Sequence, residues 1–251
     1  MKAHPRTASF DQAVDVYEEA RPEYPGEAVA WLVERLDLRP GRTVLDLGAG
    51  TGKLTRRLVG TGARVIAVEP LPAMRARLVE LVPEAEALDG AAEQIPLVDA
   101  SVDAITVGQA FHWFRLDEAL PELHRVLRPG GLLAAAWNVR APGPVQDALF
   151  EILRTVHGAT PAHVDSAWRE QVESSELFGR FEAREFGWEE VVELERVVRR
   201  VLSISFVAAL PRERQDEVAA QVRDALSGLP RPLRYPLRTE VLISVRQDEA
   251  R

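Results

Sequence analysis

A short run rich in glycine is the feature of this sequence with the clearest chemical use. Residues 48–52 read Gly-Ala-Gly-Thr-Gly, directly after the apolar segment 43–47 and before leucines at helical spacing. Glycine lets a backbone turn sharply and approach a ligand closely. The free N–H groups at the start of a helix attract anionic groups. The pattern therefore predicts a strand, a ligand-binding turn and a helix, in that order.

Three ligands use turns of this kind, and neighbouring residues discriminate between them. A phosphate-binding P-loop needs a glycine and a Ser or Thr where this chain has Leu47 and Leu54. A dinucleotide loop needs its third glycine one residue later, where Lys53 stands. The turn that binds S-adenosylmethionine is preceded by an acidic residue, here Asp46. A carboxylate would repel a pyrophosphate and suits an α-ammonium group, so charge favours S-adenosyl-L-methionine.

A second carboxylate lies at the end of the next apolar run. Glu69 follows the segment 64–68, which has the composition of a buried strand. A carboxylate at this position can accept hydrogen bonds from both hydroxyls of a ribose. The alternative is an exposed charge at a strand end. The apolar run before Glu69 favours the binding role.

Four further side chains have types that suit a binding or catalytic site. Arg21 and Tyr24 lie in a segment punctuated by prolines. A guanidinium matches a carboxylate, so Arg21 could pair with that of the cofactor, with Tyr24 covering the pocket. His112, with an ordinary pKa near neutrality, could act as a general base or be structural. Trp113 could line an acceptor pocket or pack against the next helix.

Strands alternate with helices through the first half of the chain, which predicts a parallel sheet with helices on both faces. Strands are predicted at 43–47, 64–68, 102–107 and 132–137, and helices at 26–37, 71–82 and 116–127. Pro129-Gly130-Gly131 is predicted to be a tight turn. Beyond Asn138, helices are predicted near 145–157, 165–177, 193–207 and 211–227, and strands near 181–191 and 237–246.

Composition excludes several classes of protein. With 31 basic and 39 acidic residues and no basic cluster, a nucleic-acid partner is disfavoured. The chain has no cysteine, which excludes disulfides and thiolate metal sites, and its five histidines lack metal-ligand spacing. No signal core or long apolar run occurs, so we expect a cytoplasmic protein without a membrane or metal partner. Nothing in the sequence indicates an oligomeric state.

Four segments in order resemble the class I S-adenosylmethionine-dependent methyltransferases. They are residues 44–53, 65–74, 90–114 and 119–138, so the resemblance covers about 40–138. Residues 17–25 and 111–114 are similar to a small-molecule branch that includes trans-aconitate methyltransferase-like proteins with type 11 methyltransferase domains. The resemblance implies an α/β fold: a Rossmann-like, seven-stranded, mostly parallel sheet with helices on both faces and a helical lid.

The resemblance also implies a single domain made of four segments. Residues 1–25 would form an N-terminal lid segment, and 40–138 the cofactor-binding core. Residues 139–180 would form a helical lid insertion, and 181–251 would complete the sheet. We expect the two lid segments to cover the cofactor and form the acceptor pocket.

Individual roles follow from the family's motifs. The implied cofactor-binding residues are Arg21, Tyr24, Asp46, Gly48, Ala49, Gly50, Thr51, Gly52, Glu69, Pro70, Met74, Ala92, Glu93, Gln109 and Ala110. Asp46 and the glycines would hold the methionine end, Glu69 the ribose, and Glu93 the adenine edge. Tyr17 and Trp113 would line the acceptor pocket, with His112 as the catalytic candidate. The family often has an acidic residue where this chain has Ala91, so Glu93 or the backbone would have to contact the adenine amino group instead.

The resulting hypothesis is methyl transfer from S-adenosyl-L-methionine to a small-molecule acceptor. The sequence does not determine the acceptor's chemical class. One alternative is a non-catalytic S-adenosylmethionine-binding protein, since binding residues persist without turnover. A weaker alternative is an NAD-dependent oxidoreductase.

Overall fold

The computed structural model describes residues 14–157 and 167–248. The strands are β1 (Thr43–Leu47), β2 (Arg64–Val68), β3 (Glu86–Leu88), β4 (Val102–Gly108), β5 (Leu127–Arg140), β6 (Glu182–Val192) and β7 (Leu233–Val245). The helices are α1 (Val14–Ala20), α2 (Gly26–Arg35), α3 (Thr55–Leu58), α4 (Pro72–Leu81), α5 (Leu116–Val126), α6 (Pro144–His157), α7 (Ala167–Ser174), α8 (Leu194–Leu202), α9 (Ser205–Ala208) and α10 (Arg212–Ala225).

The seven strands form one sheet in the order β3-β2-β1-β4-β5-β7-β6. The pairs β1–β2, β1–β4, β2–β3 and β4–β5 are parallel. The order reverses between β1 and β4, and ligands of open α/β sheets bind at the carboxyl ends of strands flanking such a reversal. The predicted seven-stranded, mostly parallel α/β fold is confirmed.

The chain divides into two compact units. One comprises Met1–Pro22, Asn138–Ala162 and Gly187–Arg238, and the other Glu23–Trp137, His163–Phe186 and Thr239–Arg251. In the first, α6, α8 and α10 bury a core that includes Leu149, Val201 and Val222. In the second, Leu32 of α2 and Val44 of β1 belong to the main core. The single-domain description stays a prediction.

Three local features differ from the sequence-based expectations. The tight turn predicted at residues 129–131 is wrong, because β5 runs through these residues. The strand is irregular there, and its pairing with β4 shifts register between Val102 and Ala104. Gly130 has a φ of +70°, which lets the strand bulge there. The predicted helix 193–207 is two helices, since α8 ends at Leu202 and α9 begins at Ser205. The three-residue β3 was not predicted.

The segment predicted as a helical lid does contain α6 and α7. That these helices cover a cofactor stays a prediction. Within residues 14–157 and 167–248, none of the helices combines the length and apolar character needed to cross a bilayer. The same residues contain no group of three or more His, Asp or Glu side chains placed to hold a metal ion.

Candidate functional site

The glycine run forms a tight loop between β1 and α3. Gly48, Gly50 and Gly52 have φ values of +67°, +59° and +87°, which side chains of L-residues strongly disfavour. A Cβ on Gly48 would lie 2.8 Å from the Cβ of Ala110, and one on Gly52 would lie 2.9 Å from Val82. Nothing lies within 4 Å of the Cβ position of Gly50. The outer glycines therefore permit close packing, and the middle one faces open space.

These differences predict graded effects of alanine substitution. Gly50→Ala should destabilise the fold by about 1–2 kcal/mol, from left-handed backbone strain alone. Gly48→Ala should cost roughly 2–5 kcal/mol, because overpacking against Ala110 adds to the same strain. Urea denaturation measures both.

The double variant Gly48→Ala with Ala110→Gly is the matched control. It removes the clash and keeps the strain, so it should recover part of the loss. If Gly48→Ala is no more destabilised than Gly50→Ala, the close packing of Gly48 on Ala110 is wrong.

Glu69 is held against the loop by two backbone donors. The Gly50 N–H donates to Oε2 over 2.8 Å, and the Leu71 N–H donates to Oε1 over 2.9 Å. The side chain is 5% exposed, and burial raises the pKa of this carboxyl. Each carboxylate oxygen keeps a further lone pair. The arrangement leaves Glu69 able to accept two more hydrogen bonds beside the open side of Gly50.

Asp46 is tied to two threonines. Thr55 Oγ1 donates to Oδ2 over 2.6 Å, and Thr106 Oγ1 donates to Oδ1 over 2.9 Å. Asp46 is 1% exposed, and burial raises the pKa of its carboxyl to about 6. The carboxylate thus links β1 to α3 and β4 behind the loop. Direct pairing with an α-ammonium group stays a prediction.

The residues preceding α2 are anchored to the same loop region. Lys53 Nζ lies 2.8 Å from Glu23 Oε1, in a partly buried ion pair. Tyr24 is buried, and its hydroxyl lies 2.6 Å from where a Cβ on Gly108 would stand. A side chain at 108 would displace the phenol. Tyr24 therefore lies at the end of β4, and its covering role stays a prediction.

The chain after β4 turns back onto the loop. Gln109 has a φ of +59°, a left-handed conformation that is strained for a residue with a side chain, and its N–H donates to Ala136 O. Ala110 follows against Gly48, and the ring of Phe114 lies 3.6 Å from the Cβ position of Gly48. The structure thus brings Gln109 and Ala110 to the glycine loop.

Seven rings form what we call the aromatic cluster, which joins residues that directly follow β4 to one residue of β5 and two residues later in the chain. Its members are Phe111, His112, Trp113, Phe114, Trp137, Trp168 and Phe181. The His112 ring centroid lies 4.5 Å from that of Trp113 and 5.2 Å from that of Trp137. Trp168 stacks on Phe111 at 4.7 Å. His112 and Trp113 therefore lie in one aromatic environment next to the loop.

The predicted adenine-edge residues lie between β3 and β4. Ala92 is buried, and the Glu93 carboxylate accepts the Arg115 N–H over 2.9 Å. In a second contact, Arg115 Nη1 lies 3.7 Å from the same Glu93 oxygen. Glu93 is thereby fixed in place by the start of α5.

The remaining predicted residues have varied surroundings. Met74 is buried on α4, Pro70 and Ala49 are half-buried, and Thr51 is buried. Arg21 belongs to the other compact unit, where its Nη2 donates to Ser203 O over 2.9 Å. Tyr17 lies on α1, and its side chain is outside the described residues.

Three parts of the site were missed from the sequence. Thr55 and Thr106 hold Asp46, but no motif marks them. The Glu23–Lys53 pair joins residues that are far apart in the chain. Trp137 is the last residue of the predicted strand 132–137, and it could have been found from the expectation that ligands bind near the carboxyl ends of parallel strands, which also favoured Glu69.

Comparison with known proteins identifies the family of this chain. Residues 45–135 match the family model described as a methyltransferase domain. A Mycobacterium tuberculosis protein called an uncharacterized methyltransferase is 39% identical over 222 residues, covering 88% of this chain and 87% of that protein. The chain belongs to the class I S-adenosylmethionine-dependent methyltransferases. The predicted family is confirmed.

Solved structures agree with the fold of this methyltransferase. A putative type II methyltransferase from Anaeromyxobacter dehalogenans is 29% identical, with a TM-score of 0.61, over 90% of this chain and 96% of that one. A Haemonchus contortus phosphoethanolamine N-methyltransferase, solved with S-adenosylhomocysteine, has a TM-score of 0.58 at 16% identity. The matched region covers 97% of this chain and 59% of the Haemonchus protein. At that identity the second likeness concerns the fold alone.

Proposed function

We propose that this methyltransferase binds S-adenosyl-L-methionine at the glycine loop and transfers its methyl group to a small molecule. The observation that carries the proposal is the position of the Glu69 carboxylate. This carboxylate lies against the Gly50 and Leu71 N–H groups, beside the open side of the loop. Two oxygens with spare lone pairs at the end of β2 suit the two hydroxyls of a ribose.

The charges around the loop favour this cofactor over a dinucleotide. Asp46 and Glu69 place two carboxylates near the loop, and each raises the cost of bringing a pyrophosphate there. The same charges attract a ligand with an α-ammonium and a sulfonium group. The bound S-adenosylhomocysteine in the Haemonchus relative is consistent with this choice.

The residues of the chain would orient the reactants and exclude water. When bound, S-adenosyl-L-methionine supplies an activated methyl group, whose carbon bonds to the acceptor's lone pair while the C–S bonding pair stays on sulfur. The aromatic cluster provides a low-dielectric wall next to the loop. His112 is the titratable side chain of that cluster and would take a proton from an acceptor that carries one.

Calorimetric titration is the direct test. We expect saturable binding of S-adenosyl-L-methionine and S-adenosylhomocysteine and no binding of NAD. Binding of NAD without either adenosyl ligand would overturn the proposal in favour of an oxidoreductase. Tight cofactor binding with no S-adenosylhomocysteine formed from any acceptor in a broad small-molecule panel would favour the non-catalytic alternative.

A further inference from the structure

The aromatic cluster has a buried donor that its neighbours do not satisfy. Trp137 is 7% exposed, and its indole Nε1 has no hydrogen-bond partner among the described residues. A buried donor without a partner costs about 1–3 kcal/mol. Such groups are rare in folded proteins unless a ligand uses them.

The position of Trp137 relates it to the methyl-transfer site. Gly108 at the end of β4 pairs with Ala136 of β5, so Trp137 lies beside Gln109 across the two strands. The His112 ring packs against Trp137, and Phe114 reaches Gly48 of the loop. An acceptor in contact with these rings would therefore lie next to the proposed cofactor site.

Several rings of the cluster are only partly covered. His112, Trp113, Phe114 and Trp168 are half-buried, whereas Phe111 is fully buried. Adjacent, partly exposed aromatic faces are typical of a small-molecule site. Flat rings pack best against flat partners, in stacked or tilted geometry.

We propose that the acceptor is a flat aromatic compound with a hydroxyl group, and that the Trp137 indole N–H donates to that hydroxyl oxygen. This inference rests on the proposed function. The hydroxyl oxygen takes the methyl group, and its proton passes to His112. The Nε1 atom is covered in this structure, so a neighbouring ring must turn aside as the acceptor enters.

Other acceptor chemistries fit these rings less well. A cationic amine is attracted by aromatic faces, but it has no lone pair to accept from the indole N–H. A carboxylate can accept, yet burying its charge among seven rings without a fixed cation is costly. A saturated alcohol accepts equally well and loses the ring stacking. A flat hydroxyl compound satisfies both the donor and the rings.

The test uses four matched probes with the full-length protein, with and without S-adenosylhomocysteine. They are 2-naphthol, 2-naphthoate, 2-naphthylmethylamine and decahydro-2-naphthol. In protein labelled with ¹⁵N-tryptophan, the five tryptophans give resolvable indole signals, and Trp137→Phe identifies one of them. We expect 2-naphthol to shift the Trp137 indole proton downfield saturably, and to bind at least about tenfold more tightly than the other probes.

Two variants separate the donor from the ring. Trp137→Phe keeps an aromatic ring and removes the N–H, so 2-naphthol should bind about fivefold more weakly. Trp31→Phe makes the same change on α2, where Trp31 packs against Phe186, and should leave 2-naphthol binding unchanged. If Trp137→Phe does not fold, the order of the four probes on the unaltered protein still decides.

The proposal is overturned if 2-naphthoate, the amine or the saturated alcohol binds as tightly as 2-naphthol. It is also overturned if Trp137→Phe binds 2-naphthol as well as the unaltered protein does. Failure of S-adenosylhomocysteine to bind would instead refute the proposed function. Probe binding without that ligand is a separate measurement, so the two failures are distinguishable.

Discussion

Replacing Glu69 with alanine is expected to weaken binding of S-adenosyl-L-methionine by at least about 100-fold. Each hydrogen bond to a charged acceptor contributes roughly 1.5–3 kcal/mol, and every 1.4 kcal/mol is a factor of ten. The ribose would lose two such bonds. Isothermal titration calorimetry measures the change.

Two further variants control this experiment. Glu69→Gln keeps one carbonyl acceptor and should give an intermediate loss. Glu80→Ala removes an exposed carboxylate that pairs with Arg77 on α4 and should leave affinity unchanged. Because Gly50 and Leu71 also lose an acceptor in Glu69→Ala, urea denaturation must show that this variant is folded. A folded Glu69→Ala protein with unchanged affinity would show that the ribose assignment is wrong.

Replacing Asp46 with asparagine is expected to stabilise the cofactor-free protein above pH 6, by up to about 3 kcal/mol. Burial raises the carboxyl's pKa from 3.8 to about 6, and one pKa unit corresponds to about 1.4 kcal/mol. The folded state then holds this proton to a higher pH than the unfolded state does. The carboxyl's contribution to stability is therefore fully present below about pH 4 and is lost as the pH rises through about 6.

Asparagine does not titrate, so this pH dependence should disappear in Asp46→Asn. The amide can still accept from one of Thr55 and Thr106 and donate to the other, since a hydroxyl does both. Urea denaturation at several pH values between 4 and 8 measures the difference. Asp99→Asn, which changes a largely exposed carboxylate paired with Arg125, is the control and should show no such stabilisation above pH 6. A stability curve for Asp46→Asn that parallels the unaltered protein would contradict the raised pKa.

Measuring cofactor affinity in Asp46→Asn distinguishes a structural role of Asp46 from a role in binding the ligand. If the carboxylate attracts the ammonium group, Asp46→Asn gains stability and loses affinity for S-adenosyl-L-methionine. The two effects have opposite signs, so a general loss of structure cannot produce both. An unchanged affinity of Asp46→Asn for S-adenosyl-L-methionine would mean that Asp46 only holds the loop in place.

The sequence by itself determined the central strands and the glycine loop. Segments 43–47 and 64–68 were predicted with the bounds they have as β1 and β2. Buried parallel strands are continuous apolar runs, and the glycines of the loop have left-handed backbones that few other residues adopt. Both signals are local, so they can be read without knowing what lies nearby in space.

Only the tertiary structure decided which side chains meet at the site. Asp46 and Thr106 are 60 residues apart, and they meet because β1 and β4 are neighbours in the sheet. Trp137 reaches His112 because β5 pairs with β4. The short β3 has too few residues for a periodic pattern and forms by pairing with β2. Contacts of this kind depend on strand order. Strand order results from burying the apolar faces of all the elements together, so it cannot be predicted from any single segment.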